Sequence, residues 1–234
     1  EKVRKNGKFV VPVAADKPEY SNKLPYVFAL GEDGIIVCIK SVLGLPLDRF
    51  DNIYFTVLRK HDDLFYIADS LRMQCKRLGL VNVKIVILDE PTRDQVETVF
   101  MTIQQERISG SIYIKDADCY FESKEEIRNG VAIYPIEELE MLDPRDKSYV
   151  AVDDMYYITN IIEKSVIGHY ISAGGYAFED CDVFCKYYTS LRHYDRLYLS
   201  HIIYAMLLDK KTFRPFLVKN YEDWGSKRML GLRL

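Results

Sequence analysis

Four short segments carry side chains with chemistry to offer. In Lys115-Asp-Ala-Asp-Cys-Tyr-Phe121, two carboxylates, Asp116 and Asp118, follow an apolar, strand-like run. Carboxylate oxygens at a strand end suit Mg²⁺ or Mn²⁺, which commonly takes one or two of them together with substrate phosphates. The same residue types also suit an ordinary turn. In Asn220-Tyr-Glu-Asp-Trp-Gly-Ser226, Asp223 precedes the only Trp of the chain. By itself that reads as an acidic approach to a helix N-terminus. Ile161-Ile-Glu-Lys-Ser165 sets Glu163 beside Lys164, and Ala173-Gly-Gly-Tyr-Ala-Phe178 follows shortly after. A lysine at a strand end can hold a phosphate as a point charge, and the pair Gly174 and Gly175 lets backbone approach a ligand beside Tyr176. The alternative is a plain hairpin with an exposed lysine. Finally, Leu88-Asp-Glu-Pro-Thr-Arg-Asp-Gln-Val-Glu-Thr-Val99 joins a strand to a helix. Backbone N–H groups at such a helix start can bind an anion, and the Gln95 amide could read a base edge. An Asp94 or Thr92 cap needs no ligand at all.

Elements of alternating type must position these segments. Phe9 to Ala14 is a short apolar run and a first strand. Ile35 to Leu43 reads as a buried helix, closed by Gly44 and Pro46. Asn52 to Leu58, Val83 to Leu88 and Ser111 to Lys115 read as further strands. Leu64, Ile67, Ala68, Leu71, Cys75 and Leu78 recur at helical spacing, as do Val96, Val99, Phe100 and Ile103. Strands separated by helices pair in parallel through right-handed crossovers, and ligands gather at their carboxyl ends. That rule singles out the loops after Ala14, Leu88 and Lys115. The second half differs. Gly130–Pro135, Met155–Glu163 and Ile171–Phe178 are strand-like with no long helix between them, which suggests an antiparallel addition at one side of the sheet. Helical patterns return at Asp182–Leu191 and Tyr198–Leu208, and Phe213–Val218 is a last strand.

Composition narrows the choice of function. The 234 residues carry 32 Lys and Arg against 35 Asp and Glu, a net of −3, which disfavours duplex nucleic acid as a partner. Five cysteines, mostly inside apolar runs, read as reduced thiols. No apolar run reaches the roughly 20 residues of a membrane span, and the charged start lacks the apolar stretch of a signal peptide, so the expected location is cytoplasmic. The four His are scattered and form no recognisable Ser-His-Asp arrangement.

In this order and spacing the segments resemble the sugar-phosphate nucleotidyltransferases, also called nucleoside-diphosphate-sugar pyrophosphorylases. The related choline-phosphate cytidylyltransferases of surface polysaccharide pathways look similar too. The resemblance runs from about Phe9 to Ser226. It implies one α/β domain of Rossmann-like, GT-A-like form, a mixed, mostly parallel sheet flanked by helices. Its nucleotide-binding half would cover about 9–150 and its acceptor-binding half about 151–234. Val11-Pro-Val-Ala-Ala15 and Lys23-Leu-Pro25 stand where the family holds a triphosphate. Ala14, Ala15, Lys17, Glu90 and Gln95 are then the implied nucleotide contacts, and Lys23 a catalytic cation. Asp118 and Asp223 match the metal-binding aspartates, with Asp116 a third candidate. Glu163 and Lys164 match a Glu-Lys-Pro segment whose lysine meets the acceptor phosphate, and Gly174, Gly175 and Tyr176 match a strand lining the acceptor pocket.

The implied reaction joins a nucleoside triphosphate (CTP, UTP or dTTP) to a sugar-1-phosphate or similar phosphomonoester, with Mg²⁺ or Mn²⁺ as cofactor and pyrophosphate leaving. Such a nucleophile is ionised near neutral pH, so no general base is required. The difficulty is charge, since two unit charges at 4 Å repel by roughly 4 kcal/mol at an effective dielectric near 20. One feature departs from the family: the stretch Ala14-Ala-Asp-Lys-Pro-Glu-Tyr-Ser-Asn-Lys23 has neither the family's glycines nor its arginine, and Asp94 stands where relatives often carry Gly. Two rival readings remain at this level. A glycosyltransferase of the same architecture would also use Asp-x-Asp after a strand, and a catalytically degenerate nucleotide-binding module would account for the altered loop.

Overall fold

Phe9, Val10 and Val11 are consecutive and all fully buried. Only a strand covered on both faces can do this, because successive side chains point to opposite sides. Phe9 and Val11 enter one apolar cluster and Val10 the other. A computed structural model of the chain describes residues 7–14, 22–124, 128–139 and 143–225. Strands β1 (Lys8–Val13), β2 (Asn52–Leu58), β3 (Val83–Leu88) and β4 (Ile112–Lys115) are linked through helices α1 (Val37–Lys40), α2 (Arg59–Phe65), α3 (Ile67–Arg77) and α4 (Gln95–Glu106). Next come β5 (Cys119–Glu122), β6 (Gly130–Pro135), β7 (Ser148–Val152), β8 (Ile158–Glu163) and β9 (Tyr170–Phe178). Helices α5 (Cys181–Leu191) and α6 (Leu199–Leu208) precede the final strands β10 (Arg214–Leu217) and β11 (Lys219–Asp223).

The main sheet runs β3-β2-β1-β4-β9-β6-β10, with β7 attached to β9 and β8 to β7. Pairings among β3, β2, β1 and β4 are parallel, as is β6 with β10, whereas β9 is antiparallel to β4, β6 and β7. The chain is thus α/β with a mixed, mostly parallel main sheet. Residues of α1 and α3 pack into one apolar cluster, and those of α4, α5 and α6 into the other. Each buried Val, Leu, Ile or Phe contributes roughly 1.5–3 kcal/mol of transfer free energy, set against the entropy of ordering the chain. No helix among the described residues is long and apolar enough to cross a membrane.

Several boundaries differ from the sequence expectation, each for a local reason. The buried helix expected over Ile35–Leu43 shrinks to Val37–Lys40, with Ser41, Val42 and Leu43 continuing in hydrogen-bonded turns. The helical repeat from Leu64 to Leu78 spans a break at Tyr66, whose φ of 53° ends α2. The Asp62 carboxylate, accepting from Ala68 N–H at 2.7 Å, holds that break together. Met155 to Tyr157 is turn rather than strand, because Asp153 Oδ1 accepts from the N–H groups of Met155 and Tyr157. Strands β5, β7 and β11 were not expected.

The glycine pair in β9 serves packing at one of its two positions. A Cβ on Gly175 would lie 2.5 Å from the Tyr113 hydroxyl, 2.7 Å from the Phe121 ring and 3.0 Å from Ala132 Cβ. Gly175→Ala is therefore expected to lower stability by about 1–3 kcal/mol through overpacking. Urea denaturation checks this, and an unchanged midpoint would mean the layer under β9 is looser than drawn.

Candidate active site

The site grows from the carboxyl end of β4. Lys115 is fully buried, and its ammonium turns back to donate to the carbonyls of Asp116 (2.7 Å) and Cys119 (2.8 Å). A buried ammonium needs such partners, and satisfying it fixes the loop 116–119. Asp116 N–H donates to Gly174 O at 2.9 Å. The Asp116 carboxylate lies so close to β9 that a Cβ on Gly174 would sit 2.8 Å from Oδ2. Gly174 also has φ +83°, so this position requires glycine twice over. Gln95 Nε2 donates to Asp116 Oδ1 at 2.5 Å. Burial, with the neighbouring Asp118 charge, raises the Asp116 pKa to about 6.

Asp118 presents its carboxylate to solvent while its carbonyl accepts from Trp224 N–H (3.0 Å) and Gly225 N–H (3.2 Å). Those contacts dock the end of β11 onto the loop after β4. Pairing of Asp223 with Cys119 in the β5–β11 ribbon does the same. Trp224 stacks on Tyr120, their centroids 6.2 Å apart, which anchors the crossing. The result is convergence of two aspartates that are distant in sequence. Asp118 Oδ2 and Asp223 Oδ1 both lie 3.4 Å from the point where a Cβ of Gly225 would sit, so they are no more than twice that distance apart. Asp223 Oδ2 turns the other way and pairs with the Lys147 ammonium. Burial alone would lower the Lys147 pKa, but Asp223, with Cys119 and Asp118, outweighs it and holds it above the ordinary lysine value.

Two cavities meet at these carboxylates. One, of about 480 Å³, lies toward the ends of β1 and α4 and is lined by Pro12, Val13, Thr92 and Arg196 among others. A smaller one, of about 180 Å³, lies toward β7 and β9 and includes Lys147, Glu163 and Ser172. Asp116, Asp118, Gln95 and Tyr198 line both, forming a shared wall.

Of the acceptor-side residues expected from sequence, Glu163, Gly174 and Tyr176 line the smaller cavity. Glu163 Oε2 accepts from Ser200 Oγ at 2.9 Å and from Ser148 Oγ. Burial, aided by the Asp116 charge, raises the Tyr176 hydroxyl well above its ordinary value. Other expected residues stand apart from the two cavities or make other contacts. Gly175 faces Tyr113 and Phe121 rather than a ligand. Lys164 has φ 61°, is exposed and lines neither cavity; its ammonium stands 5.5 Å from the Tyr198 ring. Lys23 and Glu90 are exposed and also line neither. Ala14 is packed in the core. Ala15 and Lys17 lie outside the described residues. The Gln95 amide donates to Asp116, and the residue lines both cavities. Asp94 is a buried cap: it accepts from Glu97 N–H at 2.9 Å and from Leu197 N–H at 3.0 Å, tying α4 to the start of α6. Lys147, Tyr198 and Arg196 were missed, since no motif surrounds any of them.

Neither a protein-family model nor a curated protein matches the sequence. Solved structures do match in three dimensions. The nucleoside-diphosphate-sugar pyrophosphorylase of Vibrio cholerae aligns over 93% of this chain and 95% of its own, with TM-score 0.75 and 17% identity. The inositol-1-phosphate CTP transferase of T. maritima aligns over 93% and 88%, with TM-score 0.71 and 16% identity. A UDP-glucose pyrophosphorylase complexed with UDP-glucose aligns over 95% of each chain, with TM-score 0.71 and 11% identity. The chain has the nucleotidyltransferase fold. At these identities the likeness is one of architecture, and the chemistry has to be argued from the site itself.

Proposed function

We propose that this chain is a divalent-cation-dependent nucleotidyltransferase that joins a nucleoside triphosphate to a sugar-1-phosphate or similar small phosphomonoester. The observation that carries this reading is the approach of Asp118 Oδ2 and Asp223 Oδ1 to a common point beside the wall between two cavities. The larger cavity suits the nucleotide and the smaller one the acceptor. The donor set fits Mg²⁺ or Mn²⁺, because it consists of carboxylate oxygens at the ligand-facing end of the sheet. Asp118 and Asp223 would hold the ion, with Asp116 behind them. When bound, it supplies charge neutralisation and alignment at the reacting phosphates.

The chain's own groups do the rest. Lys115 and Gln95 fix the loop and the Asp116 carboxylate, so little reorganisation is needed when substrates arrive. An acceptor phosphate oxygen forms a bond to the α-phosphorus, and the α–β bridging P–O bond breaks to release pyrophosphate. Binding both partners on either side of one wall turns their encounter into an in-place reaction. CTP, UTP and dTTP are the nucleotides proposed, and the cytoplasm is the proposed location. The test is a screen of four nucleoside triphosphates against a phosphomonoester panel with Mg²⁺, read as pyrophosphate. At least one pair should turn over. Release of a nucleoside diphosphate from a nucleotide sugar instead would identify a glycosyltransferase. Failure of every triphosphate to bind in calorimetry would reduce the chain to a non-catalytic module.

A further inference from the structure

The smaller cavity is lined by five carboxylates, those of Asp116, Asp118, Asp146, Glu163 and Asp223. Among the described residues that line it, Lys147 is the sole cation. We propose that Lys147, and not Lys164, is the side chain that binds the acceptor's phosphate. This rests on the transferase reading above and assigns a residue within it.

Lys147 immediately precedes β7, and its carbonyl accepts from Lys164 N–H at 2.8 Å where β8 has just ended. The two lysines thus sit on neighbouring strand ends. Lys164, with left-handed backbone, is exposed and holds its ammonium over the Tyr198 ring without lining the smaller cavity. Lys147 points inward, with only 15% of its side chain exposed. An ammonium has three N–H donors. Here one goes to Asp223 Oδ2 and one to the Tyr221 hydroxyl at 3.2 Å, which leaves a donor for a ligand in the cavity. Ser172 Oγ is buried beside the Tyr176 hydroxyl and lines the same cavity. An ammonium with a donor to spare, the one cation among the described lining residues, suits an oxyanion once a divalent ion offsets the carboxylates around it. Lys147 also touches the carboxylate whose other oxygen faces Asp118, so phosphate and ion sites would share Asp223 as a common wall.

The experiment uses inorganic phosphate as the probe, titrated calorimetrically into the full chain in Mg²⁺ buffer. Lys147→Gln is expected to weaken phosphate binding by about tenfold or more, the size of one lost charge-assisted hydrogen bond. Lys164→Gln is expected to stay within about twofold of the unaltered chain, as an exposed lysine should. If Lys147→Gln does not fold, the unaltered chain still answers. Its Lys147 Cε–Hε resonance, assigned by its loss in Lys147→Arg, should move on phosphate addition. Absence of phosphate binding, equal effects of both substitutions, or a stationary Lys147 resonance would overturn the assignment. Phosphate binding that needs Lys147 in a chain without any pyrophosphate release would leave the assignment standing and remove the transferase reading instead. With turnover, Lys147→Gln should raise KM for the phosphomonoester and leave KM for the triphosphate unchanged.

Discussion

Asp118→Asn and Asp223→Asn are each expected to slow pyrophosphate release by about a hundredfold to a thousandfold, the range seen when a preorganised electrostatic partner is removed. Asparagine keeps one oxygen at nearly the same place but removes the charge that competes for a hydrated divalent ion. The double variant should be little slower than the worse single one, because residues that hold one ion act as a unit. Raising Mg²⁺ should recover part of the Asp118→Asn rate, since the defect is weakened holding and not lost architecture. The fold should survive. Asp118 meets Trp224 and Gly225 through its backbone carbonyl, and Asp223 pairs with Cys119 through the ribbon; neither contact uses the carboxylate. A distinction between the two variants guards the interpretation. Asp118 is exposed and its charge opposes that of Asp116, so its replacement should not lower the melting temperature, whereas Asp223→Asn strips the charged partner from the mostly buried Lys147 and should lower it. Rates within a few-fold of the unaltered chain, with the same Mg²⁺ dependence, would show that these oxygens meet without sharing an ion.

The sequence exposed this convergence only through the order of its segments. Neither Asp-x-Asp nor Asp-Trp-Gly is specific, and nothing local says that Asp223 reaches Asp118. Their meeting depends on β5 and β11, two short strands that the sequence did not reveal. Lys219-Asn-Tyr-Glu-Asp223 has no apolar alternation, because the ribbon packs along an edge rather than between two layers. Main-sheet strands were legible for the opposite reason: β2 and β6 are continuous apolar or β-branched runs, and β3 is one apart from the exposed Lys84, all read with the same ends the structure has. The split between α2 and α3 was hidden because the periodic pattern continues through Tyr66, a residue type that rarely takes positive φ. The same effect bears on Lys164. A Glu-Lys dipeptide at a strand end reads as a phosphate contact, but where its lysine points is set by one backbone angle. Lys147 left no trace at all, because its place depends on β7 joining β9 and β8, and Asp146-Lys147-Ser148 resembles any polar turn.

Asp116→Asn should make the metal-free protein more stable at pH 7.5, by as much as about 3 kcal/mol for a shift of roughly two pKa units. Burial raises the Asp116 pKa to about 6, and the nearby Asp118 charge adds to this, against an ordinary value of 3.8. The sign follows from proton binding. Between those two values the folded chain holds a proton that the unfolded chain has released. Stability contributed by the neutral carboxyl is therefore full below pH 3.8 and is lost as pH rises toward 6 and beyond. Asparagine is neutral throughout and escapes that loss. Its carbonyl can also accept the Gln95 amide hydrogen bond that Asp116 Oδ1 now receives, so the contact that orients this side chain is kept. Urea denaturation in chelator from pH 4 to pH 8 should show the two proteins nearly equal at the acid end and diverging above it. Mg²⁺ should then close the gap, because a divalent ion beside Asp118 favours the ionised form of Asp116 and stabilises only the chain that can ionise there. If Asp116→Asn is instead the less stable protein at pH 7.5 without metal, the Asp116 charge is already compensated by Lys115 and Lys147. The loop would then not be strained toward a cation, and the metal reading would lose its electrostatic motive.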